Sequence, residues 1–332
     1  MRFLAYLLED IERLKLLEIE REPGDGEVLV KVEAALTCGT DTKMYKRGHP
    51  QFPFPSLFGH EVSGIVAEKG KGVGFLKEGD EVLFPVSSPC LSCKYCLKGL
   101  ENQCENLFKE KVWGAFAEYI LIPARIVRNS TFKKPKNLSF EEGALLDPLS
   151  SVVFSYRNIK KQDLRVLIIG AGPMGFLHAL YSRERGYEVS VCDIKKERLG
   201  ILEKLNFKTY LSKDGWEEEA GNFDLIMECS GTEKGLKSAL KLMEKGGKIC
   251  IFAGFPKNYT FEIDIASLHY NQNEIYGSFH YDRAAVLEAY NLLLEGNLNL
   301  KPLFSGYYHL KQLPSVMDMV LRGEGLKFVI NP

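Results

Sequence analysis

Four cysteines lie within a window of fifteen residues, and they constrain this chain more than any other feature of its sequence. They are Cys90, Cys93, Cys96 and Cys104, with the spacing C-x2-C-x2-C-x7-C. Four thiolates can surround one tetrahedral zinc ion, and the short spacings let consecutive cysteines curl around it. The intervening residues are those of a solvated loop. The pattern predicts a closed, structural zinc site held by a loop.

Length and charge limit the classes of protein to consider. A chain of 332 residues suits two domains, and a formal net charge of −1 argues against nucleic acid or an anionic membrane as a partner. The first apolar run is too short for the core of a signal peptide. Eight cysteines without an export signal indicate a reducing compartment. We therefore expect a cytoplasmic protein whose cysteines bind metal.

Residues 1 to about 140 are rich in strand patterns separated by turns. Apolar and polar residues alternate over 27–33 and over 61–68, which is the period of a strand with one buried face. Glycine and proline are frequent between residues 48 and 90, which favours a small β-barrel over helices. Ser139 and Glu142 have the spacing of a capping box and predict a helix start.

Residues 164–277 alternate between apolar strands and helical stretches. Such alternation is typical of a parallel sheet covered by helices. The tail predicts amphipathic helices near 284–294 and 313–321. We therefore expect an α/β protein with a β-barrel in its first part and a doubly wound parallel sheet in its second. The strands of that sheet are expected at 166–169, 188–192, 224–228 and 248–252.

A glycine-rich turn, Gly170-Ala-Gly172-Pro173-Met174-Gly175, follows the strand expected at 165–169 and precedes a helical stretch. In dinucleotide-binding folds the first glycine permits a tight turn and the second lets the backbone approach the pyrophosphate. The third allows close packing of helix and strand, and the helix N-terminus attracts the phosphates. The context of strand, turn and helix predicts a dinucleotide site.

Asp193 closes the next strand, where a carboxylate can accept hydrogen bonds from both ribose hydroxyls. It would repel a 2′-phosphate, so NAD is favoured over NADP, although Lys195 and Lys196 could pair with such a phosphate. In an open α/β sheet the cofactor lies beyond the carboxyl ends of the strands. Ser230 and Gly231 follow the strand expected at 224–228, and Ala253 and Gly254 follow the strand expected at 248–252. Both pairs are therefore expected near the nicotinamide.

Cys38 and His60 are candidates for a second metal site. A catalytic zinc ion takes three protein ligands and leaves one position open for water or substrate. Cys38 can supply a thiolate and His60 an imidazole, while Glu61 or Asp147 can supply a carboxylate. The residues by themselves leave open which of the two acids completes the set.

Together these stretches resemble the zinc-dependent medium-chain alcohol dehydrogenase family, closest to its sorbitol (polyol) and threonine dehydrogenase branches. The matching motifs follow the family's order and span roughly residues 20–280. They are Cys38-Gly-Thr-Asp with Tyr45, Gly59-His-Glu with Gly64, Gly79-Asp-Glu-Val, the four cysteines, Phe116-Ala-Glu-Tyr, Asp147-Pro-Leu-Ser and the glycine turn.

The resemblance implies a GroES-like catalytic domain built from residues 1–145 and completed by residues 278–332, with a Rossmann domain at 146–277 inserted between them. It assigns Cys38, His60 and an acid to a catalytic zinc and the four cysteines to a structural zinc. Each chain would then hold two zinc ions and bind NAD. It also implies a small-molecule alcohol as substrate and a homodimer or homotetramer.

The chain departs from the family pattern at three places. The family commonly has glutamate at the position of Asp147, which leaves Glu61 as a rival ligand. It usually has its proton-relay histidine at the position of Lys43. Polyol dehydrogenases carry Phe-Arg-Tyr where this chain has Phe-His280-Tyr281. Tyr45, His280 and Tyr281 are the substrate contacts that the resemblance suggests.

We expect reversible oxidation of a secondary alcohol, a polyol or sugar-like alcohol, to a ketone. Zinc would polarise the substrate oxygen, Thr40 would accept its proton, and NAD would receive the hydride. A threonine or hydroxy-amino-acid 3-dehydrogenase is the alternative.

Two other classes fit less well. A zinc-free quinone reductase would not need Cys38, His60 and the four cysteines. An iron–sulfur electron carrier would typically place its fourth cysteine after x3 and before proline, whereas here it follows x7 and precedes Glu105.

Overall fold

The computed structural model describes residues 1–49 and 52–332. Its strands are β1 (Arg2–Asp10), β2 (Arg13–Glu20), β3 (Val28–Leu36), β4 (Ser56–Leu57), β5 (Glu61–Lys69), β6 (Glu81–Leu83), β7 (Tyr119–Ile122), β8 (Phe132–Lys133), β9 (Arg165–Ile169), β10 (Glu188–Asp193), β11 (Lys208–Leu211), β12 (Phe223–Glu228), β13 (Met243–Ile251), β14 (Glu274–Gly277), β15 (Phe304–His309) and β16 (Lys327–Asn331).

The α-helices of the described residues are α1 (Gly39–Arg47), α2 (Lys94–Leu97), α3 (Ala124–Ser130), α4 (Phe140–Gly143), α5 (Leu146–Ser155), α6 (Pro173–Glu184), α7 (Lys196–Glu203), α8 (Trp216–Ala220), α9 (Glu233–Leu242), α10 (Ile265–Tyr270), α11 (Arg283–Glu295) and α12 (Leu313–Leu321). The helices expected in the tail are confirmed as α11 and α12. The capping box at α4 is also confirmed, since Ser139 Oγ accepts from Glu142 N and Ser139 N donates to the Glu142 carboxylate.

The chain divides into two compact units, one made of residues 1–151 and 281–332 and the other of residues 152–280. The first unit contains a three-stranded sheet in the order β2-β1-β4 and a seven-stranded sheet. The larger sheet runs β15-β16-β3-β5-β6-β8, and β7 pairs with β3. Its first two strands come from the C-terminal tail, so residues far apart in sequence share one sheet.

The register of the larger sheet brings the candidate metal ligands together. β3 and β5 are antiparallel, and Leu36 at the end of β3 lies opposite Glu61 at the start of β5. β16 pairs with the same end of β3 through Val329 and Leu36. The strand ends that carry Cys38, His60 and Lys327 therefore meet at one edge of the unit. A core of apolar side chains that includes Val30, Phe58, Phe116 and Phe328 fixes this arrangement.

The second unit is built on a six-stranded parallel sheet in the order β11-β10-β9-β12-β13-β14. Numbered from its first strand, the order is 3-2-1-4-5-6, which is that of dinucleotide-binding Rossmann domains. The switch point lies beside β9, which is flanked by β10 and β12. The expected parallel sheet is confirmed, and it places the glycine turn after β9 at the position where such folds bind their cofactor.

Candidate metal and dinucleotide sites

The four cysteines of the loop converge, and the Sγ atoms of Cys90, Cys93, Cys96 and Cys104 all lie within 4.8 Å of one another. The Sγ atoms of Cys93 and Cys96 are 3.6 Å apart. Tetrahedral zinc with Zn–S bonds of about 2.3 Å requires S···S separations of about 3.8 Å. Cys104 Sγ also accepts hydrogen bonds from Cys90 N at 3.3 Å and Asn106 N at 3.4 Å, which suits a thiolate. The cluster therefore fits a zinc ion with four protein ligands and no open position.

A second group of metal-binding side chains lies at the edge where β3 and β5 meet. One ligand atom each of Cys38, His60 and Glu61 lies within 4.8 Å of the others. His60 is 6 % exposed and Glu61 is 1 % exposed. A thiolate, an imidazole and a carboxylate this close to one another are a donor set that zinc accepts.

Asp41 orients the imidazole of this group. It is fully buried in the first turn of α1, and its Oδ1 lies 2.9 Å from His60 Nδ1. Its Oδ2 accepts from Cys38 N at 3.0 Å. A carboxylate at Nδ1 favours the tautomer with its proton there, which leaves Nε2 to bind a metal. Burial acts to lower the pKa of His60, but Asp41 and Cys38 hold that pKa well above its ordinary value.

Lys327 on β16 contacts the carboxylate of this group. Its ammonium forms an ion pair with Glu61 and donates to Thr37 O at 3.1 Å, and both charged side chains are 1 % exposed. Burial raises the pKa of Glu61, while the charge of Lys327 opposes that shift. Sequence reasoning missed Lys327, although a lysine before the apolar residues 328–330 is a signal that could have found it.

Asp147, the other expected carboxylate, lies outside the group formed by Cys38, His60 and Glu61. It stands in the first turn of α5, where its Oδ1 accepts from Val86 N at 2.8 Å and from Tyr281 OH at 2.5 Å. Tyr281 is only 3 % exposed. The phenol therefore contacts Asp147, and these two bonds fix the direction of that carboxylate.

Thr40, Tyr45 and His280 were also expected to take part in catalysis or substrate binding. Thr40 N in the first turn of α1 donates to Cys38 Sγ at 3.4 Å. Tyr45 OH donates to Glu12 O at 3.3 Å. His280 is half-buried, has a φ of 59° and ends the second unit.

A cavity of about 240 Å³ lies at the carboxyl end of the sheet of the second unit, the place where such folds bind their cofactor. A Cβ on Gly175 would lie 1.7 Å from Gly170 O, so only glycine allows α6 to pack this closely on β9. Gly170 has a φ of +102°, which favours glycine. A Cβ on Gly231 would contact Ala253 Cβ and Gly254 O, so the two later strand ends lie side by side. The cavity is lined by residues that include Gly170, Gly172, Asp193, Arg198, Cys229 and Ser230.

Asp193 joins the glycine turn to the end of β10. Its Oδ2 accepts from Ala171 N at 2.6 Å and its Oδ1 accepts from Lys195 N at 2.7 Å. Each carboxylate oxygen retains a lone pair for a ribose hydroxyl. Sequence reasoning missed Glu228, which is fully buried and accepts from Ser230 N at 2.9 Å and Gly231 N at 3.1 Å. It shapes the turn that follows β12.

Residues 24–133 match the family model described as an alcohol dehydrogenase GroES-like domain, and residues 173–295 match the model described as a zinc-binding dehydrogenase. The chain belongs to the zinc-dependent medium-chain alcohol dehydrogenase family. It is an NAD-dependent alcohol dehydrogenase that uses zinc, and its GroES-like and Rossmann parts are those of the family.

Proteins similar in sequence to this dehydrogenase agree with its membership of the family. It is 32 % identical over 327 residues to an L-threonine 3-dehydrogenase of Coxiella burnetii, with 93 % of each chain covered. It is 29 % identical over 351 residues to a probable D-xylulose reductase A of Aspergillus clavatus, covering 98 % of this chain and 96 % of the relative.

Among solved structures, a putative zinc-binding dehydrogenase of Sinorhizobium meliloti bound to NADP matches with a TM-score of 0.91. The two chains are 26 % identical, and each is covered completely. In residues 1–49 and 52–332 of this dehydrogenase, no helix is both long enough and apolar enough to cross a membrane.

Proposed function

We propose that this dehydrogenase reversibly oxidises a secondary alcohol to a ketone at the group formed by Cys38, His60 and Glu61. The observation that carries the proposal is the convergence of three different zinc-binding side chains, with Asp41 holding the imidazole in place. Three protein ligands of mixed type are typical of a catalytic zinc, which keeps one position open. Either Glu61 or Asp147 serves as the carboxylate ligand.

The side chains around this group have separate tasks in the proposed reaction. When bound, zinc supplies a Lewis acid for the substrate oxygen and NAD supplies the hydride acceptor. Thr40 lies in the same helical turn as Asp41 and accepts the hydroxyl proton. Because Lys43 stands where the family resemblance places a proton-relay histidine, we propose that the proton leaves from Thr40 through the cofactor ribose, solvent or the neighbouring His49.

NAD binding is assigned to the glycine turn of Gly170, Gly172, Pro173, Met174 and Gly175, to Asp193, and to the two strand ends at 230–231 and 253–254. The cavity and the tight packing of Gly175 on Gly170 support this assignment. The two compact units support a catalytic domain of residues 1–145 and 278–332 with an NAD-binding domain at 146–277.

The substrate class proposed first is a polyol or sugar-like alcohol, and threonine or a similar hydroxy-amino acid is second. The names of the relatives favour both, since one is a xylulose reductase and the other a threonine dehydrogenase. The test is a panel of sugar alcohols, inositols, simple diols and hydroxy acids with the zinc-loaded enzyme and NAD, followed by NADH absorbance. Zinc-dependent NADH formation with any member is the expected result. No oxidation across the whole panel contradicts the proposal.

We further propose that the enzyme is a homodimer or homotetramer. β14 ends the six-stranded sheet, and among the described residues β13 is its only pairing partner. The preceding segment exposes Ile265 at 67 % and Tyr270 at 82 %. An open strand edge beside exposed apolar side chains suits pairing with a second copy. Light scattering of the purified enzyme tests this, and a monomer at micromolar concentration contradicts it.

We place the enzyme in the cytoplasm. All eight cysteines lie among the described residues and none of them forms a disulfide, which suits a reducing compartment.

A further inference from the structure

An ion pair ties the loop of four cysteines to the start of α11. Glu101 lies in that loop between Cys96 and Cys104, and its carboxylate faces the first residue of α11, Arg283. Arg283 Nη2 donates to Glu101 Oε1 at 3.0 Å, Nε lies 3.2 Å from both carboxylate oxygens, and the backbone N donates to Oε2 at 3.0 Å. A single surface ion pair contributes little, but a bidentate pair of arginine and carboxylate has a fixed geometry. This pair therefore fixes the start of α11 against the loop.

Each of the three residues 281–283 has an anchor of its own. Asp282 caps α11 by accepting from Ala285 N at 2.8 Å. Tyr281 is buried, and its OH donates to Asp147 Oδ1 at 2.5 Å. Because Tyr281 and Arg283 are only two residues apart on one anchored segment, the ion pair of Arg283 restricts where the phenol can lie.

The same loop also approaches Asp147 from its other end. Val86 N donates to Asp147 Oδ1 at 2.8 Å, and Ser87 forms hydrogen bonds with the phenol of Tyr281. Both residues come shortly before Cys90, the first of the four cysteines. The segment that holds the cysteines therefore reaches Asp147 along two routes, at its start through this backbone N–H and near its end through the ion pair.

Asp147 in turn acts on the proposed catalytic group. Burial raises the pKa of Glu61, and the negative charge of Asp147 adds to that shift. The two buried carboxylates are therefore close enough to influence each other, and a ligand atom of Glu61 lies within 4.8 Å of those of Cys38 and His60. A carboxylate at a metal site acts through its direction, which the groups that hydrogen-bond to it determine.

We propose that Glu101 and Arg283 are positioning residues for the dehydrogenase reaction. Through Tyr281, their ion pair keeps the carboxylate of Asp147 in the orientation that the catalytic group requires. The loop of four cysteines thereby serves the catalytic site in addition to holding its own ion. This inference rests on the function proposed above and deepens it. Loss of an outer partner of a metal ligand costs about 10–100-fold in metal affinity or activity.

The first experiment measures how fast the zinc-loaded protein releases its metal to a chromogenic chelator. Cys38→Ser identifies the phase that belongs to the catalytic ion. Arg283→Met is expected to release that ion about tenfold faster than the wild type, while the ion of the four cysteines leaves at its wild-type rate. Arg283→Lys is expected to restore most of the slow release. Lys94→Met is the matched control and should match the wild type, because Lys94 pairs at 3.0 Å with Glu105 of the same loop.

The second experiment measures turnover with an alcohol that the substrate panel identifies. Arg283→Met is expected to lower kcat about tenfold. The Kd for NADH should stay at the wild-type value, because the dinucleotide cavity lies in the second unit. Tyr281→Phe keeps the ring and removes the bond to Asp147, so its effect should equal that of Arg283→Met. The double variant should be no slower than either single variant, because both changes act through one hydrogen bond.

Three results overturn the inference. If Arg283→Met and Lys94→Met release metal alike, the ion pair does not position the catalytic group. If the two changes in the double variant multiply their effects on kcat, Tyr281 and Arg283 act independently. If Arg283→Met releases both ions faster to the same extent, the pair only stabilises the loop. The absence of NADH with every alcohol of the panel overturns the proposed function by itself, because metal release is measured without substrate and decides on the ion pair separately.

Discussion

Lys327 and Glu61 form an ion pair in which each side chain is 1 % exposed. The two residues come from β16 and β5, which lie on either side of β3 in the larger sheet of the first unit. The C-terminal tail thereby places a positive charge directly against a proposed zinc ligand. The lysine can stabilise the carboxylate whether or not that carboxylate also binds the metal.

Removing the charge of Lys327 is predicted to destabilise the first unit. Lys327→Met leaves Glu61 buried without its partner, and breaking a buried pair in this way costs about 3–5 kcal/mol. We expect the thermal midpoint of the first unit to fall by about 10 °C. Lys311→Met, a change at an exposed lysine of the same unit, is the control. If Lys327→Met lowers the thermal midpoint no more than Lys311→Met does, the ion pair contributes little to stability.

The two zinc sites are predicted to be separable. Cys38→Ser is expected to abolish turnover and remove one of two zinc ions per chain, while NAD binding stays nearly intact because the dinucleotide cavity lies in the other unit. Cys104→Ser is expected to remove the other ion and to lower the thermal midpoint, because structural zinc contributes folding free energy. Metal analysis by mass spectrometry and fluorescence titration with NADH measure these changes. Retained activity in Cys38→Ser contradicts a metal-centred mechanism.

Asp193 is predicted to set the preference for NAD. Asp193→Ala removes the carboxylate that repels a 2′-phosphate, and Arg198 lines the same cavity. We expect the ratio of NADP to NAD affinity to rise about tenfold, since a charged hydrogen bond contributes about 1.5–3 kcal/mol. Affinity for NAD should also fall, because Ala171 N and Lys195 N lose their acceptor. An unchanged ratio in titrations with the reduced cofactors would mean that another residue reads the ribose.

His178 is predicted to make the second unit sensitive to acid. It is fully buried on α6, where its Nδ1 lies 3.2 Å from Tyr156 OH, and burial lowers its pKa to about 3. In the unfolded chain the imidazole of His178 takes up a proton near pH 6.5, whereas in the folded protein it stays neutral until about pH 3. Folding stability is therefore lost as the pH falls from about 6.5 towards 3.

A His178→Leu variant should show a shallower fall in thermal midpoint across this interval than the wild type. Its midpoint at neutral pH sets the baseline, because the variant also loses the contact with Tyr156. Parallel curves for the two proteins would mean that other groups dominate the acid sensitivity.

Local sequence patterns were sufficient to predict several parts of the molecule. The four cysteines form one cluster, because ligands a few residues apart in a loop can reach the same point whatever surrounds them. The glycine turn also follows directly from sequence, since Gly170 and Gly175 satisfy a steric requirement within one strand–turn–helix unit. Cys38 and His60 were identified through the motifs around them, and β3 and β5 bring them together.

Other parts depend on contacts between distant segments, and no local pattern reports them. The sequence left Glu61 and Asp147 as equal candidates for the third ligand. Only the tertiary structure shows their different surroundings: Tyr281 from the tail and Val86 donate to Asp147, whereas Glu61 faces Cys38 and His60. Lys327 acquires its role in the same way, because the tail strand β16 packs beside β3 at the end of the sheet that carries Cys38 and His60. The sequence by itself therefore indicated zinc and NAD as the cofactors, since the four cysteines and the glycine turn each depend on short spacings within one local segment. The positive charge beside the proposed zinc ligands was decided only by the tertiary structure, which packs Lys327 against Glu61, 266 positions away in sequence.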